Sequence, residues 1–196
     1  TLTLVLSLAL LIALVGNAGA HEGHDHGQPL AVSVALDAQG NLWRASVRDG
    51  FVLVDKAPAN VPLVFSAQQK LNQQAQKIGT DGDARPKLAI AKNGNIYVTW
   101  TQALPTPYSG YIWFSRSMDG GKSFSKPNIV HQDRAEITHR FDSLSVSPSG
   151  RIYVAWVDKR DLIAAKKAKQ TYDGAAIYYA VSDDAGASFS TEHKVA

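Results

Sequence analysis

From Leu30 onward the apolar positions recur with period two and are broken by short polar turns. Leu88-Ala89-Ile90-Ala91-Lys92-Asn93-Gly94-Asn95-Ile96-Tyr97-Val98-Thr99-Trp100 matches Leu144-Ser145-Val146-Ser147-Pro148-Ser149-Gly150-Arg151-Ile152-Tyr153-Val154-Ala155-Trp156. Both read as strand, glycine turn, strand, with the second strand alternating. A weaker copy is Val34-Ala35-Leu36-Asp37-Ala38-Gln39-Gly40-Asn41-Leu42-Trp43, and its glycine precedes Gly94 by 54 residues, as Gly94 precedes Gly150 by 56. The chain is therefore a repeat of three units. A second pair of strands completes each unit. Tyr111-Ile112-Trp113-Phe114 and Ile177-Tyr178-Tyr179 each run into a polar turn and leave it with a phenylalanine. In the first unit Phe51-Val52-Leu53-Val54 matches the third strand and Phe65-Ser66 echoes Phe124-Ser125, with Asn60 standing where Asp119 stands. Two segments interrupt the pattern. Ala67 to Lys77 is a Gln-rich insertion, and Asp161 to Lys169 is Ala/Lys-rich and predicts a short helix on a loop with Asp161 as N-cap.

The turn between third and fourth strands has a fixed form, S-x-D-x-G-x-S-F. Its copies are Ser117, Asp119, Gly121, Ser123 and Phe124, and Ser182, Asp184, Gly186, Ser188 and Phe189. The carboxylate can accept backbone N–H bonds across the turn, glycine can take positive φ, serine caps the loop, and phenylalanine returns to the apolar side. The octet resembles the Asp-box (BNR repeat) of the sialidase superfamily. That resemblance covers about residues 30–196 and implies an all-β fold, a β-propeller of four-stranded antiparallel blades. About three blades of a probable six are present. The chain opens on Thr1, not Met, and stops at Lys194-Val195-Ala196 just after the second octet. We expect an internal portion of a longer propeller. An Asp-box is a structural turn, so it points to fold and not to chemistry.

The N-terminal segment differs in kind. Leu2 to Val15 is apolar without a charge and is followed by Gly16-Asn17-Ala18-Gly19-Ala20. The run is short for a membrane span and ends like a signal-peptidase site, so residues 1–20 read as a secretory signal peptide, with no membrane span left after cleavage. The protein is then exported, to the periplasm or outside the cell. Residues 21–29 hold three of the six histidines, His21, His24 and His26, among acids and glycines. Such a segment either binds a divalent transition metal such as Zn²⁺, Cu²⁺ or Ni²⁺ or is a solvated tail. No other cofactor is called for. The formal charge of +3 is small and scattered, which gives no footprint for nucleic acid. With no cysteine there is neither disulfide framework nor thiolate metal site.

The polar stretch His131-Gln132-Asp133-Arg134-Ala135-Glu136-Ile137-Thr138-His139-Arg140-Phe141-Asp142 leads into the first strand of the third unit, at the rim where propellers bear ligands. Asp158-Lys159-Arg160-Asp161 is a second such patch. Arg140 and Arg160 are candidates to hold an anion, since guanidinium forks match carboxylates. Asp133, Glu136 and Asp142 are the candidate acid/base groups. An inter-blade salt-bridge network explains the same cluster. The resemblance adds that catalytic sialidases use three arginines on the substrate carboxylate, a Tyr nucleophile with a Glu partner, and an Asp acid/base. Their first arginine lies in Arg-Ile-Pro. Here Arg140-Phe141-Asp142 has Phe-Asp in place of Ile-Pro, and Arg85-Pro86 is one residue short. Two functional expectations stand side by side. One is an exported propeller that binds a glycan or protein ligand at its loop rim without a complete catalytic site in this chain. The other is an exo-sialidase whose remaining residues lie in further blades.

Overall fold

The computed structural model describes residues 31–60 and 62–195. The proposed signal peptide and the His-rich segment with His21, His24 and His26 lie outside the described residues. The architecture is all-β: three four-stranded antiparallel sheets, each built from consecutive strands. Unit one holds β1 (Ser33–Leu36), β2 (Leu42–Arg48), β3 (Phe51–Ala57) and β4 (Gln69–Lys70). Unit two holds β5 (Lys87–Ile90), β6 (Ile96–Ala103), β7 (Gly110–Ser117) and β8 (Asn128–Ile129). Unit three holds β9 (His139–Val146), β10 (Ile152–Asp158), β11 (Ala176–Ser182) and β12 (His193–Lys194), with helix α1 (Arg160–Lys167) between β10 and β11. First strands lie side by side, β1 against β5 and β5 against β9, so they form the inner edge and the fourth strands the outer one.

The repeat read from the pattern is a repeat of hydrogen bonds. In the first turn of each unit, Gly40 donates to Asp37 O at 3.0 Å, Gly94 to Ala91 O at 2.9 Å and Gly150 to Ser147 O at 2.9 Å, all at positive φ. The phase of unit one is also fixed. Ser66 N–H donates to Lys56 O at 2.8 Å, as Ser125 does to Arg116 O and Ser190 to Val181 O, both at 2.8 Å. The Phe65-Ser66 echo is therefore structural, although Phe65 sits under the Arg44 guanidinium at 3.8 Å and not in an octet.

Alternation buries one side of each sheet against its neighbour. Trp43, Ala45, Val52 and Val54 of unit one meet Ile96, Val98 and Trp100 of unit two. Tyr97, Ile112 and Phe114 of unit two meet Ile152, Val154, Trp156 and Ala180 of unit three. Fully burying each such side chain is worth roughly 1.5–3 kcal/mol, so the inter-sheet layers hold the units together.

The two octets fold alike. Ser117 Oγ accepts the Gly121 N–H at 2.8 Å and donates to Asp119 Oδ1 at 2.7 Å; Asp119 then accepts Ser123 N–H at 3.0 Å and Ser123 Oγ–H at 2.6 Å. Ser182, Asp184, Gly186 and Ser188 repeat this at 2.7, 2.7, 3.0 and 2.5 Å. These bonds hold both carboxylates well below the usual carboxylate range, those from Ser123 and Ser188 contributing most. Each octet also grips the preceding unit. Gln69 Nε2 donates to Gly121 O at 2.5 Å, and Arg116 Nη1 donates to Asp184 O and Ala185 O at 3.0 and 2.8 Å. Phe124 joins the first core layer and Phe189 packs edge-on to Phe114, ring centroids 5.0 Å apart.

Two local expectations are corrected. Asp161 is not the N-cap of α1: the cap position is Lys159, and Asp158 Oδ1 accepts the Arg160 N–H at 2.8 Å. Asp161 is drawn instead to the Tyr178 hydroxyl at 2.9 Å and Lys194 Nζ at 2.9 Å. Nor is Ala67–Lys77 wholly an insertion, because it begins with β4, whose two residues are too few to show a period.

Candidate functional site

One rim gathers the β6–β7 and β10–β11 connections together with the segments that lead from a fourth strand to the next first strand. All five charged candidates lie on this rim or in the strand that opens from it. The structure divides them by their partners.

The first group forms a closed network between units two and three. His131 is fully buried, donates from Nδ1 to Asp133 O at 2.6 Å and accepts the Ile112 N–H on Nε2 at 3.1 Å, which fixes the neutral tautomer. Burial, and then the neighbouring His139, push its pKa down to about 3. His139 stacks on it at 4.0 Å with a 13° interplanar angle and donates from Nδ1 to Gly110 O at 3.1 Å. The buried His139 Nε2 lies 3.6 Å from both Asp133 Oδ2 and Asp158 Oδ2. Asp158 accepts Trp156 Nε1–H at 2.9 Å and Arg160 Nη2–H at 2.7 Å. Burial alone would raise its pKa, but the Arg160 side chain and backbone N–H outweigh burial and hold it below the usual range. Arg160 lies 3.5 Å from Glu192 and 3.9 Å from Asp133, with its guanidinium 4.2 Å from the Tyr178 ring centroid. Glu192 accepts the backbone N–H groups of Gln132 and Asp133, which overcome its burial and lower its pKa. Arg160 and Asp133 are thus engaged by partners of the fold itself, although the buried Arg160 Nε makes no hydrogen bond among the described residues. Glu136 accepts the Thr106 N–H at 2.7 Å and braces the neighbouring loop.

The second group lies at the start of β9 on the inner edge. Between β9 and β10 the register slips, so Phe141 and Asp142 together face Trp156, a β-bulge. Phe141 takes φ +56°, a left-handed conformation that a bulky residue seldom adopts. The extra residue re-phases the strand so that His139 and Asp142 both turn inward, while the Phe141 ring stays 40% exposed. Asp142 is sealed in, accepting Thr99 Oγ1–H at 2.5 Å and Thr101 Oγ1–H at 3.1 Å, and burial pushes its carboxyl up. Lys87 opens β5 nearby, with Nζ donating to Asp83 O and Arg85 O at 2.5 and 3.0 Å, and burial pulls its pKa down.

Arg140 has no such commitment. Its side chain is only 15% exposed, and among the described residues its buried Nε has no hydrogen-bond partner and its sole ion-pair partner is the exposed Asp81 carboxylate at 3.9 Å. The guanidinium lies 4.9 Å from the Phe141 ring centroid. A largely buried guanidinium with open donors beside an exposed aromatic can receive a carboxylate, sulfate or phosphate and stack a sugar ring. Sequence reasoning brought Arg140 and Asp142 to this place, included His139, Phe141 and Asp158 in the two polar stretches without giving them a role, and missed Glu192. The density of titratable residues from 131 to 142 signalled the first network, and nothing in the sequence marks a phenylalanine for positive φ. No group of three or more His, Asp or Glu among the described residues is placed to hold a metal ion. No helix among them is long and apolar enough to cross a membrane.

No family model and no curated protein matches the chain. Solved structures do. The GH93 α-L-arabinofuranosidase of Fusarium graminearum aligns with a TM-score of 0.57 at 12% identity, over 84% of this chain and 48% of that one. The Hadza microbial sialidase Hz136 aligns at 0.55 and 15%, over 85% and 37%. A PL25 ulvan lyase aligns at 0.54 and 12%, over 86% and 39%. The chain therefore spans less than half the length of these structures. At such identities the likeness shows the fold alone, an all-β arrangement of the sialidase-like β-propeller type.

Proposed function

We propose that the chain is part of an exported sialidase-like β-propeller whose loop rim binds an acidic glycan, with Arg140 receiving the acid group and Phe141 stacking the sugar ring. The observation that carries this reading is Arg140: a largely buried guanidinium that makes no side-chain hydrogen bond to the described residues, next to an aromatic ring exposed by a left-handed backbone. An unmatched buried donor costs about 1–3 kcal/mol, and a bound anion would recover it. The fold neighbours act on glycans by their names, an arabinofuranosidase, a sialidase and an ulvan lyase, which supports a glycan as the ligand class. The apolar run at residues 2–15 and the small residues before His21 support export.

The reading is binding and not catalysis for the residues in hand. Asp142 is sealed beneath two threonines, Glu136 is spent on a loop amide, and Asp133 and Arg160 belong to the inter-unit network. Catalysis by the longer protein would draw on residues outside this chain. Calorimetric titration with 3′-sialyllactose and with neutral lactose tests the proposal. Sialyllactose should bind and lactose should not, and Arg140→Ala should weaken sialyllactose at least tenfold while thermal unfolding is unchanged. Equal binding by Arg140→Ala, or equal binding of the two sugars, rejects it.

A further inference from the structure

The Gln-rich segment plays no part in the site above, yet it borders a cavity of its own. Beyond β4 it passes over the outer part of the boundary between units one and two and encloses, with β7 and the approach to β8, a space of about 260 Å³. Trp113, Gln73, Gln74, Gln76, Lys126 and Pro127 line it. Trp113 stacks on the buried Trp100 at 6.5 Å and 12°, and both indole N–H groups are tied down. Trp113 Nε1 donates to Gln102 Oε1 at 2.7 Å and Trp100 Nε1 to Gln76 Oε1 at 2.8 Å. The ring that borders the cavity is therefore held from behind and by its N–H, and presents carbon, not a donor. Above it, the side chains of Gln73, Gln74 and Lys126 make no hydrogen bond to the described residues. Asn72, by contrast, is used up inside the loop, on Val52 N–H, Gly50 O and Gln74 O.

We infer that this cavity is a second, peripheral sugar site, taking one neutral pyranose ring against Trp113 with its hydroxyls bonded by Gln73 and Gln74. A side-chain amide offers an acceptor and two donors a short distance apart, which matches neighbouring sugar hydroxyls, each both donor and acceptor. An aromatic face adjoining such groups is the amphipathic surface a pyranose needs, apolar C–H on one side and polar hydroxyls at the edge. The space falls just under the roughly 300 Å³ at which drug-sized ligand pockets begin, so it holds a single ring. No carboxylate lines it to bind a cation, and apart from Trp113 and Pro127 no large apolar side chain is there to anchor a peptide. The site stands apart from Arg140 and depends on none of its residues.

Saturation-transfer NMR on the full chain with methyl β-D-glucopyranoside, methyl β-D-galactopyranoside and cellotriose tests the inference. At least one of these sugars should receive magnetisation on its ring C–H protons from the protein. Gln73→Ala/Gln74→Ala, both in an exposed loop, should weaken that binding about tenfold, as for two lost neutral hydrogen bonds. The same variant should leave the unfolding midpoint and sialyllactose binding as they are. Arg140→Ala should keep the neutral sugar, which separates this site from the one at Arg140. Transfer to none of the three sugars, or wild-type affinity in the double variant, overturns it.

Discussion

Gly121 is where the octet, the fold and the unit boundary meet, so Gly121→Ala is the most informative stability test. The residue has φ +81°, and a Cβ built on it would lie 2.1 Å from Trp43 Cη2 and 2.5 Å from Trp43 Cζ3 of the preceding unit. Two costs add. Holding a non-glycine residue left-handed costs roughly 1–2 kcal/mol. Forcing a methyl into the buried Trp43 layer costs a further ~1–3 kcal/mol for overpacking. Gly120→Ala is the internal control, because Gly120 has φ +69° but nothing within 4 Å of its added Cβ. It should lose only the conformational part, about 1–2 kcal/mol. The gap of about 1–3 kcal/mol is the steric seat on Trp43 and corresponds to roughly 2–12 °C in midpoint for a domain of this size. Urea unfolding followed by tryptophan fluorescence measures both variants. Trp43→Leu should absorb part of the Gly121→Ala penalty, giving non-additivity in a double-mutant cycle. Equal losses for Gly120→Ala and Gly121→Ala, or strict additivity with Trp43→Leu, would refute the idea that the octet locks onto the neighbouring unit.

Three further outcomes follow from the same geometry. His131 has its pKa lowered from 6.5 to about 3, so the unfolded chain binds the extra proton and stability falls as pH drops from 6.5 towards 3. The slope attributable to this group is about 1.4 kcal/mol per pH unit, and His131→Gln should remove it from a urea series between pH 6 and 4; an unchanged slope rejects the tautomer assignment. Asp142 shifts the other way. Its folded pKa is raised by burial, so its proton stabilises the fold at low pH and that contribution is lost as pH climbs above the unfolded value near 3.8. Relative to Asp142→Asn, the wild type should therefore weaken as pH rises from 3 to 7, and a constant difference between the two would show that Thr99, Thr101 and Lys87 fully compensate the charge. Phe141→Gly should relax the left-handed backbone and raise stability by about 1 kcal/mol while weakening acidic-glycan binding; a variant that binds as tightly as wild type would mean the exposed ring has no part in recognition.

The fold was legible because its two signals are local and repeated. Period-two alternation marks the first, second and third strands, and the glycine turns at 40, 94 and 150 mark their phase. The octets carry their own hydrogen-bond pattern, so their residue types alone assign Asp119 and Asp184 to turns. The fourth strands were expected, but their bounds stayed hidden, since β4, β8 and β12 have two residues each and no pattern can show in two. Asp161 misled for a related reason. A helix N-cap is a local inference, whereas Lys194 and Tyr178, which draw its carboxylate, come from the end of the chain and from the neighbouring strand.

The candidate site shows the same division more sharply. Composition gathered Arg140, Arg160, Asp133, Glu136 and Asp142 as one cluster, because five charged side chains near one rim look alike on paper. Packing separates them by whether each finds a partner within the fold. Arg160 meets three carboxylates, Asp133, Asp158 and Glu192, and the last of these, 32 residues further along the chain, is absent from the sequence argument. Asp142 meets two hydroxyls and Glu136 an amide. Arg160 keeps one buried donor, Nε, without a partner among the described residues, but Arg140 makes no side-chain hydrogen bond to them at all, and the bulge contributes to that: had β9 run straight, Arg140 and Asp142 would share a face and could have satisfied one another. Inserting one residue sends Asp142 inward to Thr99 and Thr101 and places Phe141 at the exposed edge in a conformation costing about 1–2 kcal/mol. The bulge thus has two effects: it turns Asp142 inward to bond the second unit, and it leaves a guanidinium and an aromatic ring side by side at the rim, the arrangement on which the proposed glycan contact rests.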